Sequence, residues 1–268
     1  MMSTKGQVDD LFTKTVEDWA RFYNDPKPRT MNDQNLVSRR RFALEMIEGK
    51  LQPGANVLDI GCGTGHLAAE LMRRGFTAWG VDLSSAMVEY AREHYSADRF
   101  RVGDIEQIPF ADNTFDAVMC LGVMEYLEKD ELALREMWRV LKPGGMAVIT
   151  TPSSICPFFY VDMAFRQARF VLRPVVRSLR YTWRGKPVPS NGELPKVIHR
   201  RYYRPRWLDL LHSVHLEAED WVCHSWGFYC VDRFCSQGAF CRASDHFARN
   251  PLINWLASDQ LVLVRAVK

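Results

Sequence analysis

The chain has 268 residues, 47% hydrophobic and 25% charged, an ordinary globular composition that suits one large domain or two small ones. Its 35 basic and 32 acidic side chains leave a net charge of +3, too balanced for a broad nucleic-acid footprint. No apolar run reaches the length of about 18 residues needed to span a membrane, and the opening MMSTKGQVDDLFTK lacks the apolar centre of a signal peptide.

In chain order, residues 8–50 read as helical. Leu11, Thr15, Trp19, Phe22 and Tyr23 recur at helical spacing, and Leu36, Phe42, Leu44 and Ile47 mark a second helix. NDPKPRT, with two prolines, breaks the chain between them. From residue 55 the pattern changes. ANVLDI is a short apolar strand, and HLAAELMRRG a helix stopped by Gly75. TAWGVDL is a second strand, and SSAMVEYAREHY a second helix with Ser84 at its N-cap. RFRVGD, FDAVMCLG and GMAVITTP read as further strands, with the helix KDELALREMWRVL before the last of them. Alternating strands and helices imply a parallel, doubly wound α/β sheet.

The alternation then stops. Residues 154–198 form an insertion that holds Arg166, Arg169, Arg173, Arg177, Arg180 and Arg184, spaced 3, 4, 4, 3 and 4. That spacing puts all six on one helical face, with Phe165, Phe170, Val171, Leu172, Val175, Val176 and Leu179 opposite. Pro174 divides the stretch into helices of roughly 159–172 and 175–184. Without the seven basic residues and one acidic residue of 157–187, the net charge is −3. The positive charge is therefore local, and it faces either water or an anionic membrane surface. RPRWLDLLHSV resumes as a helix. LEAEDWVCHSW and DQLVLVRAV are the final strands.

The densest signal is VLDIGCGTGHL, residues 57–67. Asp59 ends a strand. Gly61, Gly63 and Gly65 allow a tight turn that a ligand can approach closely. The next helix presents free N–H groups there. Asp82 follows the second strand, where an acidic side chain holds ribose hydroxyls. Asp104 and Ile105 follow the third, beside an adenine pocket. GCGTG lacks the GxGxxG spacing of dinucleotide enzymes.

VLDIGCGTGHL, GVDLSSAMVEYAR, GDIEQIPFADNTFDAVMCLGVMEYL and ALREMWRVLKPGGMAVITTP together resemble the class I S-adenosylmethionine-dependent methyltransferases, in the small-molecule branch often labelled type 11. The resemblance covers about residues 50–152. It implies a Rossmann-like, seven-stranded sheet with the last strand antiparallel. It places Asp59, Gly61, Gly63 and Gly65 around the methionine part of the cofactor. Asp82 would take the ribose, with Leu83 and Met87 nearby. Asp104 and Ile105 would flank the adenine, and Cys120 and Leu121 would line the floor. S-adenosylhomocysteine would be the product. The chain then reads as a single domain: an N-terminal helical cap (1–50), a cofactor-binding core (51–153), an inserted lid (154–198), and C-terminal strands with a second insertion (199–268).

A hydroxyl acceptor needs a base. His199 is the first candidate, or else a surface histidine. Tyr126 stands where many relatives have histidine, as a base or as packing beside Leu127. Glu125 binds the cofactor or orients a neighbour. Trp19 and Tyr23 either close the site or belong to an ordinary core, and one of Arg39, Arg40 and Arg41 is a candidate partner for the cofactor carboxylate. Cys223, Cys230, Cys235 and Cys241, with His212, His215, His224 and His246, show no zinc spacing and read as reduced thiols and plain histidines, with no metal. The expected enzyme methylates an apolar small molecule: a lipid, prenylated quinol or polyketide. O-methylation is the default. Carbon or nitrogen methylation, an RNA or protein acceptor, and a non-methylating binder or cyclase are the alternatives. A cytoplasmic location, peripheral at the membrane, goes with this reading.

Overall fold

The computed structural model describes residues 4–24, 31–157, 160–161, 164, 200–224, 248, 257 and 259–268. The six arginines of the insertion, Cys230, Cys235, Cys241, His246 and His199 lie outside the described residues. The chain begins with three helices, α1 (Thr4–Thr13), α2 (Val16–Asn24) and α3 (Met31–Ile47). Strands and helices then alternate: β1 (Asn56–Ile60), α4 (His66–Arg73), β2 (Thr77–Asp82), α5 (Ser85–His94), β3 (Phe100–Val102), β4 (Phe115–Cys120), α6 (Asp130–Val140) and β5 (Leu141–Pro152). Helix α7 (Arg204–Ser213) and strands β6 (Leu216–His224) and β7 (Asp259–Ala266) complete the described elements.

The seven strands form one sheet in the order β3-β2-β1-β4-β5-β7-β6. β1 to β5 run parallel to one another, and β7 runs antiparallel to both β5 and β6. The sheet topology is the expected one. Its strands bury both faces, which is why they read as nearly continuous apolar runs. Leu58, Val118, Ala147 and Val262 meet α6 and α7 through Leu134, Met137, Trp207 and Leu211. Their chain neighbours Val57, Ala117, Val148 and Leu263 point the other way, to Phe42, Ile47, Leu67, Leu71 and Val88 on α3, α4 and α5.

Two local expectations change. The first N-terminal helix is two helices, divided at Lys14–Thr15. The Thr15 hydroxyl bonds back to the Leu11 carbonyl at 3.0 Å, and the Thr15 amide takes the nearer Phe12 carbonyl, which tightens the turn. Ser84 does precede α5, but its side chain does not cap that helix. Its hydroxyl pairs with the Thr13 hydroxyl of α1 at 3.0 Å instead.

Candidate functional site

The registers bring the signal residues to one edge. Ile60 pairs with Val81 and with Cys120, so Asp59, Asp82 and Cys120 end three adjacent strands at their carboxyl tips. Val102 pairs with Asp82, which brings Asp104 to the same edge. In open parallel sheets this edge is where ligands bind.

The glycine turn has a steric cause. Gly61 has φ +68, and any Cβ there would run into Val123. Only glycine lets β1 turn so close to the loop after β4. Asp82 fixes the turn from the side. Its Oδ2 accepts the Gly63 amide at 2.8 Å, and its Oδ1 accepts the Ser84 amide at 2.9 Å. Burial pushes the Asp82 carboxyl up, while those amide bonds pull it back. Asp59 is also buried. Burial and the nearby Asp82 hold its carboxyl well above the usual range, and the Ala68 amide at the start of α4 pulls it down. Met87, Ile105 and Cys120 are buried beside these groups. Leu83 is half-buried, and Leu121 packs on the core from its rim.

The three consecutive arginines of α3 have three different places. Arg39 points into the site. Its guanidinium lies on Gly122, where an added Cβ would be 2.5 Å from Nη1. Arg40 lies 5.6 Å from the centre of the Tyr23 ring. Arg41 turns outward, over Phe42 and near Glu45. Sequence spacing treats the three alike, and only the packing of α3 separates them.

Helices α1 and α2 cover the same edge, and most of their contacts were not legible in the sequence. Lys5 of α1 binds Asp104 Oδ2 at 2.5 Å and Glu106 Oε2 at 2.8 Å. Phe12 meets Tyr126 edge-on, with ring centres 5.7 Å apart. Trp19 lies 6.2 Å from Phe12 and 6.0 Å from Tyr23, and Tyr23 lies 5.3 Å from His66 at the start of α4. This aromatic row runs from the loop after β4 to the glycine turn. Trp19 and Tyr23 therefore help cover the site. His66 stays neutral down to about pH 4, because burial and Arg40 oppose its charge.

The loop after β4 carries Glu125 and Tyr126. Glu125 is buried, and burial pushes its carboxyl up to about 7 against the pull of Arg39. Burial and Glu125 together push the Tyr126 phenol up to about 12. The 154–198 insertion leaves and returns beside this loop. Tyr202 bridges to Ser153. The Arg200 amide donates to the Glu125 carbonyl at 2.8 Å, and the Tyr202 hydroxyl to the Met124 carbonyl at 2.9 Å.

Two buried carboxylate oxygens, Asp59 Oδ2 and Glu125 Oε2, have no hydrogen-bond partner among the described residues. An orphaned acceptor at the end of β1, a cation at Gly122 and an acidic residue at the end of β2 suit a zwitterionic amino acid joined to a nucleoside. The site fits S-adenosylmethionine. Asp59, Asp82, Asp104 and Ile105 are the residues that the family resemblance would assign to its methionine, ribose and adenine parts, and Arg39 is the one of the three arginines that reaches Gly122 at this edge.

A glycine turn between a parallel strand and a helix, with acidic residues after the next two strands, defines a Rossmann-like nucleoside-binding domain. A family model described as a methyltransferase domain matches residues 58–149. The chain is 42% identical over 145 residues to the malonyl-acyl-carrier-protein O-methyltransferase of Erwinia pyrifoliae, covering 48% of this chain and 55% of that one. It is 37% identical over 178 residues to the ubiquinone/menaquinone biosynthesis C-methyltransferase UbiE of Geotalea daltonii, covering 63% and 68%. The magnesium protoporphyrin IX methyltransferase of Synechocystis, solved with bound S-adenosylhomocysteine, superposes with a TM-score of 0.61 at 14% identity, covering 97% of this chain and 98% of that one. The chain belongs to the class I S-adenosylmethionine-dependent methyltransferases. It spans about half the length of the malonyl-acyl-carrier-protein enzymes it matches, 39% in Pectobacterium atrosepticum and 55% in Erwinia pyrifoliae.

Proposed function

We propose that the protein transfers a methyl group from S-adenosylmethionine to an apolar small molecule, with oxygen as the accepting atom and the acceptor held under residues 154–198. One observation carries the reading: the described roots of that insertion, at Ser153 and Arg200–Tyr202, are bonded to each other and to the Met124–Tyr126 loop. Those roots sit beside the loop after β4, at the edge that carries the glycine turn.

When bound, the cofactor supplies a methyl group already activated on a positive sulfur. The chain's own residues then have three tasks. Asp59, Asp82 and Arg39 fix the cofactor's orientation, and alignment alone supplies several kcal/mol. The row Phe12, Trp19 and Tyr23 excludes water from it. A residue must also take the acceptor's proton, and His199 and Tyr126 are the candidates that the sequence offers. Tyr126, with a phenol near 12, is protonated at neutral pH and serves better as a wall or a hydrogen-bond donor. Methylation at carbon is the second reading, favoured by the C-methyltransferase relative at 37% identity. A cytoplasmic enzyme whose arginine stretch rests on an anionic membrane would take up such an acceptor without passing it through water.

The test is a label-partition experiment. The protein is incubated with methyl-labelled S-adenosylmethionine and a host-cell extract, and label is counted in the organic, aqueous and precipitated fractions. Label in the organic phase is the expected result. Label in the precipitate would move the acceptor to RNA or protein.

A further inference from the structure

Methyl transfer to a hydroxyl releases a proton, and the site must give it a destination. The loop after β4 offers one. Cys120 ends β4, and its thiol lies within electrostatic reach of Glu125, Asp59 and Arg39 together. Val123 packs against the glycine turn, and Arg39 against Gly122. Glu125 therefore sits beside the methionine end of the cofactor site, on the loop that anchors the insertion. Its backbone is held by the Arg200 amide, and its neighbour Met124 by the Tyr202 hydroxyl.

The Glu125 side chain is buried, and its Oε2 accepts no hydrogen bond among the described residues. A buried polar atom left so is destabilising. Such an atom beside a ligand site calls for an explanation, and a partner that arrives with a ligand is one. Arg39 from α3, Asp259 at the start of β7, Cys120 at the end of β4, Tyr126 on the same loop and Tyr202 after the insertion are the charged or titratable groups that act on it or feel it. Arg39 favours its anion, and burial and Asp259 oppose it. Asp59 has the other orphaned oxygen, at the end of β1, and the function proposed above already uses it for the cofactor.

We propose that Glu125 is the proton-accepting residue of the methyl transfer, its Oε2 taking the proton of the acceptor hydroxyl. The inference rests on the methyltransferase reading above and deepens it. The acceptor O–H bond breaks as the oxygen–methyl bond forms. The proton goes to Glu125, and the electron pair of the old sulfur–methyl bond stays on sulfur, which becomes neutral. Glu125 returns the proton to water after product leaves. Only the carboxylate can accept, so kcat/KM rises with pH as Glu125 ionises, from a ligand-free carboxyl that burial lifts to about 7.

The test compares Glu125→Gln, Glu125→Asp and His199→Ala with the wild-type protein across the neutral pH range. Labelled S-adenosylmethionine is the donor and a chloroform extract of host cells the acceptor. Glu125→Gln is expected to lose about 10²- to 10³-fold in kcat and to lose the acid limb. Glu125→Asp restores part of both. Calorimetric affinity for S-adenosylhomocysteine should stay within about threefold. In difference infrared spectra of the ligand-free protein, a carboxyl band that fades near pH 7 should be present in wild type and missing in Glu125→Gln. The proposal is overturned by a Glu125→Gln enzyme with wild-type kcat and limb, or by a limb that disappears only in His199→Ala. It is also overturned if Glu125→Gln loses cofactor affinity while kcat at saturation is unchanged, which would assign the residue to cofactor binding. A wild-type protein that binds S-adenosylhomocysteine yet labels nothing in the extract removes the methyltransferase reading itself, and this proposal with it.

Discussion

Asp82 does two jobs with one carboxylate. It holds the glycine turn through the Gly63 amide and the start of α5 through the Ser84 amide. In the proposed site, the carboxylate's remaining lone-pair capacity would be open to a sugar hydroxyl. Replacing Asp82 with Ala removes both functions. Hydrogen bonds to a charged group are worth about 1.5–3 kcal/mol each, so S-adenosylmethionine affinity should fall at least about a hundredfold in calorimetry. Unchanged affinity would sink the assignment of this site. Asp82 was legible in the sequence because its meaning depends only on distance from the glycine turn along two strands. Arg39 was not. Its role depends on which side of α3 meets Gly122, and three adjacent arginines look alike until that helix packs.

At the scale of the element, α1 is the part that sequence patterning described least well. Its apolar spacing reads as one face of a longer helix. The fold cuts that helix short and uses Lys5, Phe12 and Thr13 as separate anchors, on Asp104 with Glu106, on Tyr126 and on Ser84. Asp104 is the residue expected beside the adenine, so the α1 latch and the cofactor share a neighbour. The Lys5 side chain is 43% exposed, which makes the latch weak and salt-sensitive. Lys5→Met should speed S-adenosylhomocysteine release about two- to tenfold, as expected for losing exposed ion pairs of about 1 kcal/mol or less each. Stopped-flow tryptophan fluorescence, with Trp19 in the covering row, would read the rate. Wild-type release should approach the variant's rate at high salt. A release rate that ignores both salt and the substitution would show that α1 is held by its apolar contacts alone.

For the whole molecule, the sheet puts Asp59, Asp82, Asp104 and Cys120 at one edge and the insertion's roots beside it. Among the described residues no helix is long and apolar enough to cross a membrane. The proposed contact with a bilayer is through Arg166, Arg169, Arg173, Arg177, Arg180 and Arg184. Each arginine near an anionic surface adds about 1 kcal/mol. The protein should float with anionic vesicles at low salt, stay behind with neutral ones, and lose flotation when the six arginines become glutamine. Failure to float at low salt would leave the arginines facing water.

The alternation of strands and helices and the glycine turn were readable early because they rest on local chemistry. An apolar run, a turn that only glycine can make and an acid at a fixed offset carry their meaning in a dozen residues. The antiparallel last strand and the cofactor were expected too, but only as what the resemblance to the methyltransferase family implies, carried by four motifs over about residues 50–152. Contacts between distant segments were not. Lys5 with Asp104, Phe12 with Tyr126, Arg39 with Gly122 and Arg200 with Glu125 join parts of the chain whose separation no periodicity encodes. Glu125 shows the difference most plainly. In GVMEYL it is one more acidic residue. Burial between β4, α3 and the return of the insertion lifts its carboxyl toward 7 and leaves one oxygen without a partner among the described residues. Desolvation is a property of the surroundings, and only the folded chain supplies them.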